Sequence, residues 1–455
     1  MAKREVNMLS GSIVKGLLTI SIPILIQNVG QSLFNIIDLA IMKLYGDKLA
    51  VGAVGVCGTP IGTITGLLIG ISLGANIVIA RYIGKGDKEA VGRSVGTSIL
   101  FSFLGGLFLA LFGILFAEPI LRWMNCDEAL IPKAALYFKL YFGGIPLLMV
   151  YNFTAAILRA SGDSRRPMMF LTAGGVVKVV FTYVFARFFH MGVTGVAFAT
   201  ILSWVLLAFL GMQALTKSGG TVQLYRCHLK LYSHELKEIL RFGVPAGLQQ
   251  ALYSVANMVI VSTVNTFGIS ATTGLSVANN FDGILYQVAC APSYAVAPYV
   301  SQNLGNKNLV RVKQAILRGC MLTTVMGATF GFLSAFFSRE LSSIMTADPV
   351  ALEFSCQKMV IISSTYFICG INEILGSSLR GLGRPSLATV CTMIYMCALR
   401  FVWVYAVFPF LPQNLTFLYL VWPVGWVLSG LTLIGFYFPT MRKLKKNIAA
   451  ECAAV

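Results

Sequence analysis

Charged residues are scarce in this chain of 455 residues: they make up 11% of it, with 17 acidic side chains against 35 lysines and arginines. Hydrophobic residues account for 57% of the sequence, and the mean hydropathy is +0.79. Ordinary soluble domains carry roughly 25% charged residues, about twice this share. The shortage of charge therefore excludes a soluble globular protein and indicates a chain that lies largely in lipid.

Sequence signals for metal, disulfide and nucleotide sites are missing as well. The three histidines are isolated, and none of the ten cysteines belongs to a CxxC or Cys/His cluster with metal-ligand spacing. The phosphate-binding pattern GxxxxGK[ST] does not occur, which disfavours transport driven by ATP. We therefore expect no cofactor, and the sequence shows no cluster of catalytic side chains that would indicate an enzyme.

Long apolar runs, by contrast, recur along the whole sequence. Twelve of them reach about 20 residues, the length that crosses a hydrocarbon core. The predicted spans are 14–42, 50–80, 95–117, 134–157, 168–187, 191–214, 239–265, 270–303, 310–337, 350–378, 386–408 and 415–440. They divide into an N-terminal lobe (1–216), a cytoplasmic linker (217–238), a C-terminal lobe (239–440) and a cytoplasmic tail (441–455). The prediction is an all-α integral membrane protein.

Basic residues are unevenly distributed between the predicted loops. If the N-terminus is inside, 25 of the 35 fall on inner segments and only six on outer ones. By the positive-inside rule, both termini are expected in the cytoplasm. We expect a multi-pass protein of the inner cell membrane. Topology and attraction to anionic lipid headgroups account for most of the net charge of +18. No nucleic-acid partner is therefore expected.

The two halves of the chain repeat each other at a fixed offset. SIPILIQ (21–27) returns as GVPAGLQ (243–249), and Asn35 returns as Asn257 with the same spacing. The turn LRASGDSRRP returns in the second half as LRGLGRP. Because each half contains six spans, both enter the membrane from the same side and form parallel repeats. This organisation is typical of secondary transporters, and a channel would not need it.

A polar stripe follows one face of the first span. Gln27, Gln31, Asn35 and Asp38 recur at intervals of four, four and three residues. A carboxylate in a helix otherwise suited to lipid must face protein or water. The stripe is either a hydrogen-bond ladder between helices or a cation or proton site centred on Asp38.

Other polar and aromatic side chains in the spans extend the set of candidates for a substrate cavity. Span 7 repeats the polar stripe, and aromatic rings stack on flat cations. The predicted cavity residues are Gln27, Gln31, Phe34, Tyr151, Asn152, Lys178, Gln249, Tyr253, Asn257 and Arg400.

Two of these candidates, Lys178 and Arg400, are cations inside spans, and they are separated by the offset of the repeat. One interpretation is that each neutralises a neighbouring carboxylate and fixes the interior of its lobe. The other is that Lys178 lies near Asp38 and keeps it ionised until substrate or a proton arrives.

Several motifs carry a resemblance to a known family. IPILIQ (22–27), ARYIGKGDKEAV (80–91) and LRASGDSRRP (158–167), with their echoes in the second half, resemble the multidrug and toxic compound extrusion (MATE) family. The resemblance covers essentially the whole chain. It implies a V-shaped transporter of twelve helices in two lobes, which exports organic cations and other amphipathic compounds in exchange for H⁺ or Na⁺. It also places Asp38, with Asn35, at the coupling-ion site of the first lobe.

The second lobe departs from the family pattern. Many members carry a glutamate in span 7, where this chain has Tyr253. Glu373 in span 10 and Asp282 in span 8 are the candidates to replace it, unless each pairs with a buried cation. Asp38 would be the metal ligand if the coupling ion is Na⁺.

We therefore expect a monomeric antiporter that exports small molecules in exchange for H⁺ or Na⁺. A flippase for a lipid-linked saccharide, from the same superfamily, is the alternative and would need a cluster of cations facing the central cavity. A membrane-embedded channel or enzyme is a further, weaker alternative.

Overall fold

Helices make up almost all of the chain in the computed structural model, which describes residues 5–45, 48–124, 126–128, 130–217 and 220–453. The first half contains α1 (Ile13–Tyr45), α2 (Lys48–Lys85), α3 (Lys88–Trp123), α4 (Ile131–Ala160), α5 (Arg165–Arg187) and α6 (Gly192–Lys217). A short 3₁₀ turn, Arg226–His228, lies in the predicted linker. The six spans predicted for the first half therefore correspond to six helices.

The helices of the second half are more interrupted. They are α7 (Ser233–Asn265), α8 (Ile269–Gly305), α9 (Leu309–Phe336), α10 (Ser338–Ser343), α11 (Pro349–Ser363), α12 (Tyr366–Gly381), α13 (Pro385–Thr392), α14 (Leu399–Val402), α15 (Leu415–Tyr419) and α16 (Val421–Ala453). The tenth predicted span consists of α11 and α12, which meet at a bend of 47°. In the eleventh, π-helical turns at Met393–Ala398 and Trp403–Val407 lie on either side of α14.

Most of these helices are long and apolar enough to cross a bilayer. Among the described residues, ten helical segments meet that condition, and the bent pair of α11 and α12 makes an eleventh. The helix of the remaining predicted span, α8, has 37 residues but is not among the eleven, because its middle is polar. The structure therefore has helical segments at all twelve predicted spans, and α8 differs from the others in composition.

The sequence repeat is visible in the backbone of the inner turns. Asp87 caps α3 by accepting the N–H of Ala90, and in the corresponding turn of the second half Asn308 caps α9 by accepting that of Arg311. Further along, Gly162 and its counterpart Gly383 both adopt left-handed φ values, of 91° and 92°. Glycine is favoured at such turns because a Cβ would strain this conformation.

The described chain divides into two packed units. Ile26–Val244 forms most of the first, and Asn7–Leu25 together with Pro245–Val455 forms the second. The division falls just after Pro23 in α1 and at Pro245 in α7, the paired prolines of the repeat. The predicted limits of the linker, 217 and 238, stay a prediction.

Each unit has an apolar core of its own. In the first unit, Tyr151, Trp204 and Leu207 pack together between α4 and α6. In the second, Leu285 of α8 and Tyr366 of α12 pack with Trp426 of α16. These cores fix the helices on which the charged side chains of each unit are carried.

Candidate functional site

Asp38 of α1 is buried and forms an ion pair inside the first unit. Only 5% of the residue is exposed, and its Oδ2 lies 2.5 Å from Nζ of Lys178 on α5. Thr182, one helical turn further along α5, donates its hydroxyl to Oδ1 over 3.2 Å. Because residues four apart share a helix face, α5 presents both partners to the same carboxylate.

The close approach of α5 to α1 depends on a glycine. A Cβ added at Gly175 would overlap the ring of Phe34 on α1. Phe34 therefore packs against the backbone of α5, one turn before Lys178. The structure places its ring in a helix–helix contact, and its predicted role in lining a substrate cavity stays a prediction.

The first glutamine of each polar stripe is bound by an arginine of the inner turns. Arg159 donates to Oε1 of Gln27 over 3.0 Å, and Arg380 donates to Oε1 of Gln249 over 3.2 Å. Both glutamines are 7% exposed. The two contacts repeat between the halves as the sequence does. Each is a single hydrogen bond between two helices at the inner end of a stripe, and a ladder along the whole first stripe stays a prediction.

The remaining candidates of the first unit differ in burial and in contacts. Tyr151 is buried and donates its hydroxyl to the carbonyl oxygen of Pro167 over 3.0 Å, at the start of α5. Gln31 is exposed and Asn152 is half-buried. The side chain of Asn35 lies outside the described residues.

In the second unit, five predicted residues line one cavity. The cavity has a volume of about 440 Å³ and lies among α7, α8, α11, α12, α14 and α16. The predicted residues in its wall are Tyr253, Asn257, Asp282, Glu373 and Arg400. These side chains come from four separate helices, so only the tertiary structure brings them together.

A further charged residue of this cavity, Lys358 of α11, is missing from the sequence prediction. Its ammonium lies 2.5 Å from Oδ2 of Asp282 and donates to the side-chain oxygen of Asn279, and the side chain is 2% exposed. A signal was present, since Lys358 is a cation inside an apolar span, the rule that singled out Lys178. The contact makes Asp282 the partner of a buried cation, one of the two predicted possibilities.

Arg400 of α14 has a different kind of partner. Its Nη1 donates to Oδ1 of Asn257 over 2.6 Å, and its guanidinium lies 5.3 Å from the centre of the Trp422 ring. The residue is 4% exposed. Within the described part of the chain no carboxylate forms an ion pair with Arg400, so the structure does not provide the acidic neighbour that one interpretation required.

Glu373 of α12 completes the set of charges around the cavity. It is half-buried in the wall that also contains Arg400 and Lys358. Across the described ranges, no group of three or more His, Cys, Asp or Glu side chains is arranged to hold a metal ion.

Comparison of the sequence with family models matches the chain to a known family. The sequence model of the MatE family matches residues 23–184 and again 245–406, so the two matches are separated by the offset that relates Pro23 to Pro245. The chain belongs to the MatE family. Membership confirms the predicted resemblance, and it identifies the chain as a membrane transporter built from two homologous halves.

Individual relatives and solved structures agree with the MatE assignment. The chain is 26% identical over 423 residues to the probable multidrug resistance protein YoeA of Bacillus subtilis, with 91% of each chain covered. It is 24% identical to an FAD transporter of Shewanella oneidensis, covering 85% of this chain and 86% of the relative. The fold matches an outward-facing multidrug resistance MATE transporter with a TM-score of 0.91 at 20% identity, covering 98% of this chain and all of that one. The predicted MATE-like fold is confirmed.

Proposed function

We propose that this MatE protein is a secondary antiporter that exports amphipathic small molecules in exchange for protons, with Asp38 as the proton-carrying group. The observation that carries the proposal is the ion pair between the buried Asp38 and the half-buried Lys178. A buried carboxylate in a membrane protein costs free energy of folding, and such carboxylates mark functional sites.

Proton binding at Asp38 would change the contact between α1 and α5. A protonated carboxyl is neutral, so Lys178 would lose its counter-ion in a site of low dielectric, where an unpaired charge is unstable. The helices would then favour an arrangement in which the ammonium reaches water or another partner. Protonation thereby supplies the differential stability that a switch between two states requires.

The same pair favours H⁺ over Na⁺ as the coupling ion. Na⁺ needs several oxygen ligands around an open position, whereas an ammonium group already lies 2.5 Å from Oδ2 of Asp38. A proton needs only the carboxylate oxygen itself. Asp38 would bind Na⁺ only after Lys178 had moved away.

The substrate class is supported by the relatives and by the cavity of the second unit. Relatives carry names of multidrug resistance proteins, and one is named an FAD transporter. The cavity is large enough for a drug-sized molecule and is lined by several aromatic rings. We place the protein in the inner cell membrane as a monomer with both termini in the cytoplasm.

A lipid-linked saccharide flippase is less compatible with the charges. Lys178 and Lys358 each form an ion pair with a carboxylate, which leaves Arg400 as the predicted intramembrane cation without one among the described residues. One such cation does not make the cationic cluster that a pyrophosphate-linked substrate would require.

Dye efflux from reconstituted vesicles tests the proposal. A pH gradient should drive efflux, a Na⁺ gradient alone should not, and Asp38→Asn should abolish the pH-driven component because the side chain no longer binds a proton. Asp127→Asn, at an exposed carboxylate of the outer loop, is the matched control and should leave efflux unchanged. Asp38→Glu retains a carboxylate and should keep part of the activity. Normal pH-driven efflux by a folded Asp38→Asn protein would refute the proposal.

A further inference from the structure

The two halves of the protein differ in the partner of a cation that lies inside a span. Lys178 and Arg400 are separated in sequence by the same offset as Pro23 and Pro245, and each contacts the polar stripe of its own unit. In the first unit the contact is the carboxylate of Asp38. The equivalent position in the second unit is Ile260, which is buried and apolar, so Arg400 contacts the amide of Asn257 instead. The repeat thus keeps the cation and omits its anion.

The other charges of the cavity do not make up for this omission. Lys358 and Asp282 neutralise each other at 2.5 Å. A guanidinium has five N–H donors, and Asn257 accepts from one of its nitrogens. In the described part of the chain the Arg400 guanidinium contacts an amide and a ring and forms no ion pair, so it keeps much of its desolvation cost, which an arriving anion would offset.

Aromatic side chains form much of the remaining wall. Trp426 and Tyr366 lie with ring centres 5.7 Å apart and planes inclined by 32°, and Tyr253 and Tyr286 line the same space. Trp422 already lies next to the Arg400 guanidinium. Flat aromatic compounds gain stacking energy against such rings, in addition to the burial of apolar surface.

The helix that carries Arg400 is locally widened. π-Helical turns at Met393–Ala398 and Trp403–Val407 lie on either side of α14, and such turns are frequent at functional sites. Gly425 of α16 packs against the carbonyl oxygen of Tyr395 in the first of them, so closely that a Cβ would overlap it. This contact brings α16, with Trp422 one turn earlier, against Arg400. The backbone is thus arranged around the arginine.

We propose that the cavity of the second unit binds flat aromatic compounds that carry an anionic group, a carboxylate, sulfonate or phosphate. Arg400 holds the anionic group, and Trp426 with the neighbouring tyrosines holds the ring. Glu373, in the same wall, opposes the anion while it is ionised. This inference names a substrate class for the transporter and so rests on the proposed function.

Two probes with the same ring and opposite charge test the inference. Binding of 1-pyrenebutyrate and of 1-pyrenemethylammonium to the purified full-length protein is measured by quenching of tryptophan fluorescence, without any gradient. The wild-type protein should prefer the anion. Arg400→Gln should weaken anion binding tenfold or more, Arg400→Lys by less, and neither should change cation binding more than twofold.

Further variants separate a lost contact from a damaged fold. Asn257→Asp keeps Arg400 and supplies the carboxylate that the first unit has, so anion binding should weaken tenfold or more. Glu373→Gln removes the opposing charge and should strengthen anion binding. Arg339→Gln, at an exposed arginine of α10, should change neither probe. Preference of the wild-type protein for the cation, or unchanged anion binding in both Arg400→Gln and Asn257→Asp, would overturn the inference.

The binding experiment tests the substrate class, and the efflux experiment tests proton antiport, so the two can fail independently. Equilibrium binding requires no ion gradient, so an Arg400-dependent preference for the anion would stand even if Asp38→Asn left efflux intact. Conversely, Asp38-dependent efflux of a cationic dye would support antiport. If anion binding were then unchanged in the Arg400 variants, only the proposed substrate class would be refuted.

Discussion

The ammonium of Lys178 on α5 lies 2.5 Å from the buried carboxylate of Asp38 on α1. Both interpretations of Lys178 drawn from the sequence contain this contact, so the contact alone does not separate a fixed interior from a switch. The two roles differ in the effect of removing one charge. Stability and coupling must therefore be measured on the same variants.

Removing the cation alone should destabilise the first unit. Lys178→Met leaves the buried carboxylate of Asp38 without its counter-ion, and the loss of one partner from a buried pair costs about 3–5 kcal/mol. The double variant Asp38→Leu with Lys178→Met should recover most of that loss, since no buried charge remains. Thermal unfolding of the detergent-solubilised proteins measures both. A fully stable single variant would show that the two groups are not paired in the membrane.

The double variant also separates the two roles. If the pair couples transport to protons, the stable protein that lacks both charges should show no pH-driven dye efflux. Full efflux from this protein would mean that the pair only fixes the interior of the unit.

Gln27 and Gln249 should act on stability rather than on substrate binding. Each accepts a hydrogen bond from a charged arginine, and a contact of this kind contributes about 1.5–3 kcal/mol. Gln27→Ala and Gln249→Ala should therefore lower the melting temperature by similar amounts and leave the apparent KM for dye efflux unchanged. A raised KM without a loss of stability would support the cavity role predicted for these glutamines.

Gly175→Ala should disturb the contact that brings Lys178 to Asp38. The added methyl group overlaps the ring of Phe34, and overpacking of this kind costs about 1–3 kcal/mol. Gly30→Ala is the matched control, since a Cβ at that glycine of α1 meets open space. Unfolding temperatures of the two variants give the comparison, and adding Phe34→Leu to Gly175→Ala should restore part of the loss. Equal stability of the two glycine variants would contradict the packing described.

Asp348, outside the membrane-spanning segments, should make stability depend on pH. The hydroxyl of Ser270, at 2.8 Å, and then the N–H of Val350 at the start of α11 hold the pKa of this carboxyl below its ordinary value. A lowered folded-state pKa stabilises the protein above the ordinary pKa of about 4, and this contribution is lost as the pH falls through the folded-state value.

The variant Asp348→Asn keeps a side chain that can cap α11 but cannot titrate. The wild-type protein should be the more stable of the two at pH 6, and its advantage should shrink below about pH 4. Melting temperatures between pH 3 and pH 6 measure the difference. A constant difference over this range would mean that Asp348 does not titrate with folding.

Sequence by itself determined the architecture of this protein. Helix positions followed from apolar runs, because this signal acts within a few residues of the chain. The repeat that relates Pro23 to Pro245 is visible in the amino-acid sequence alone, and the two MatE matches have the same offset. Family membership rested on turn and kink motifs that are contiguous in sequence.

Only the tertiary structure decided which side chains meet. Periodicity places Gln27 and Asp38 on one face of a helix, but it does not say that Arg159 binds the first and Lys178 the second. Lys358 joins Asp282 because α11 packs beside α8, a fact that no local pattern contains. The partner of a buried charge is set by how helices distant in sequence pack against each other, because electrostatic energy depends on distance in space and not along the chain.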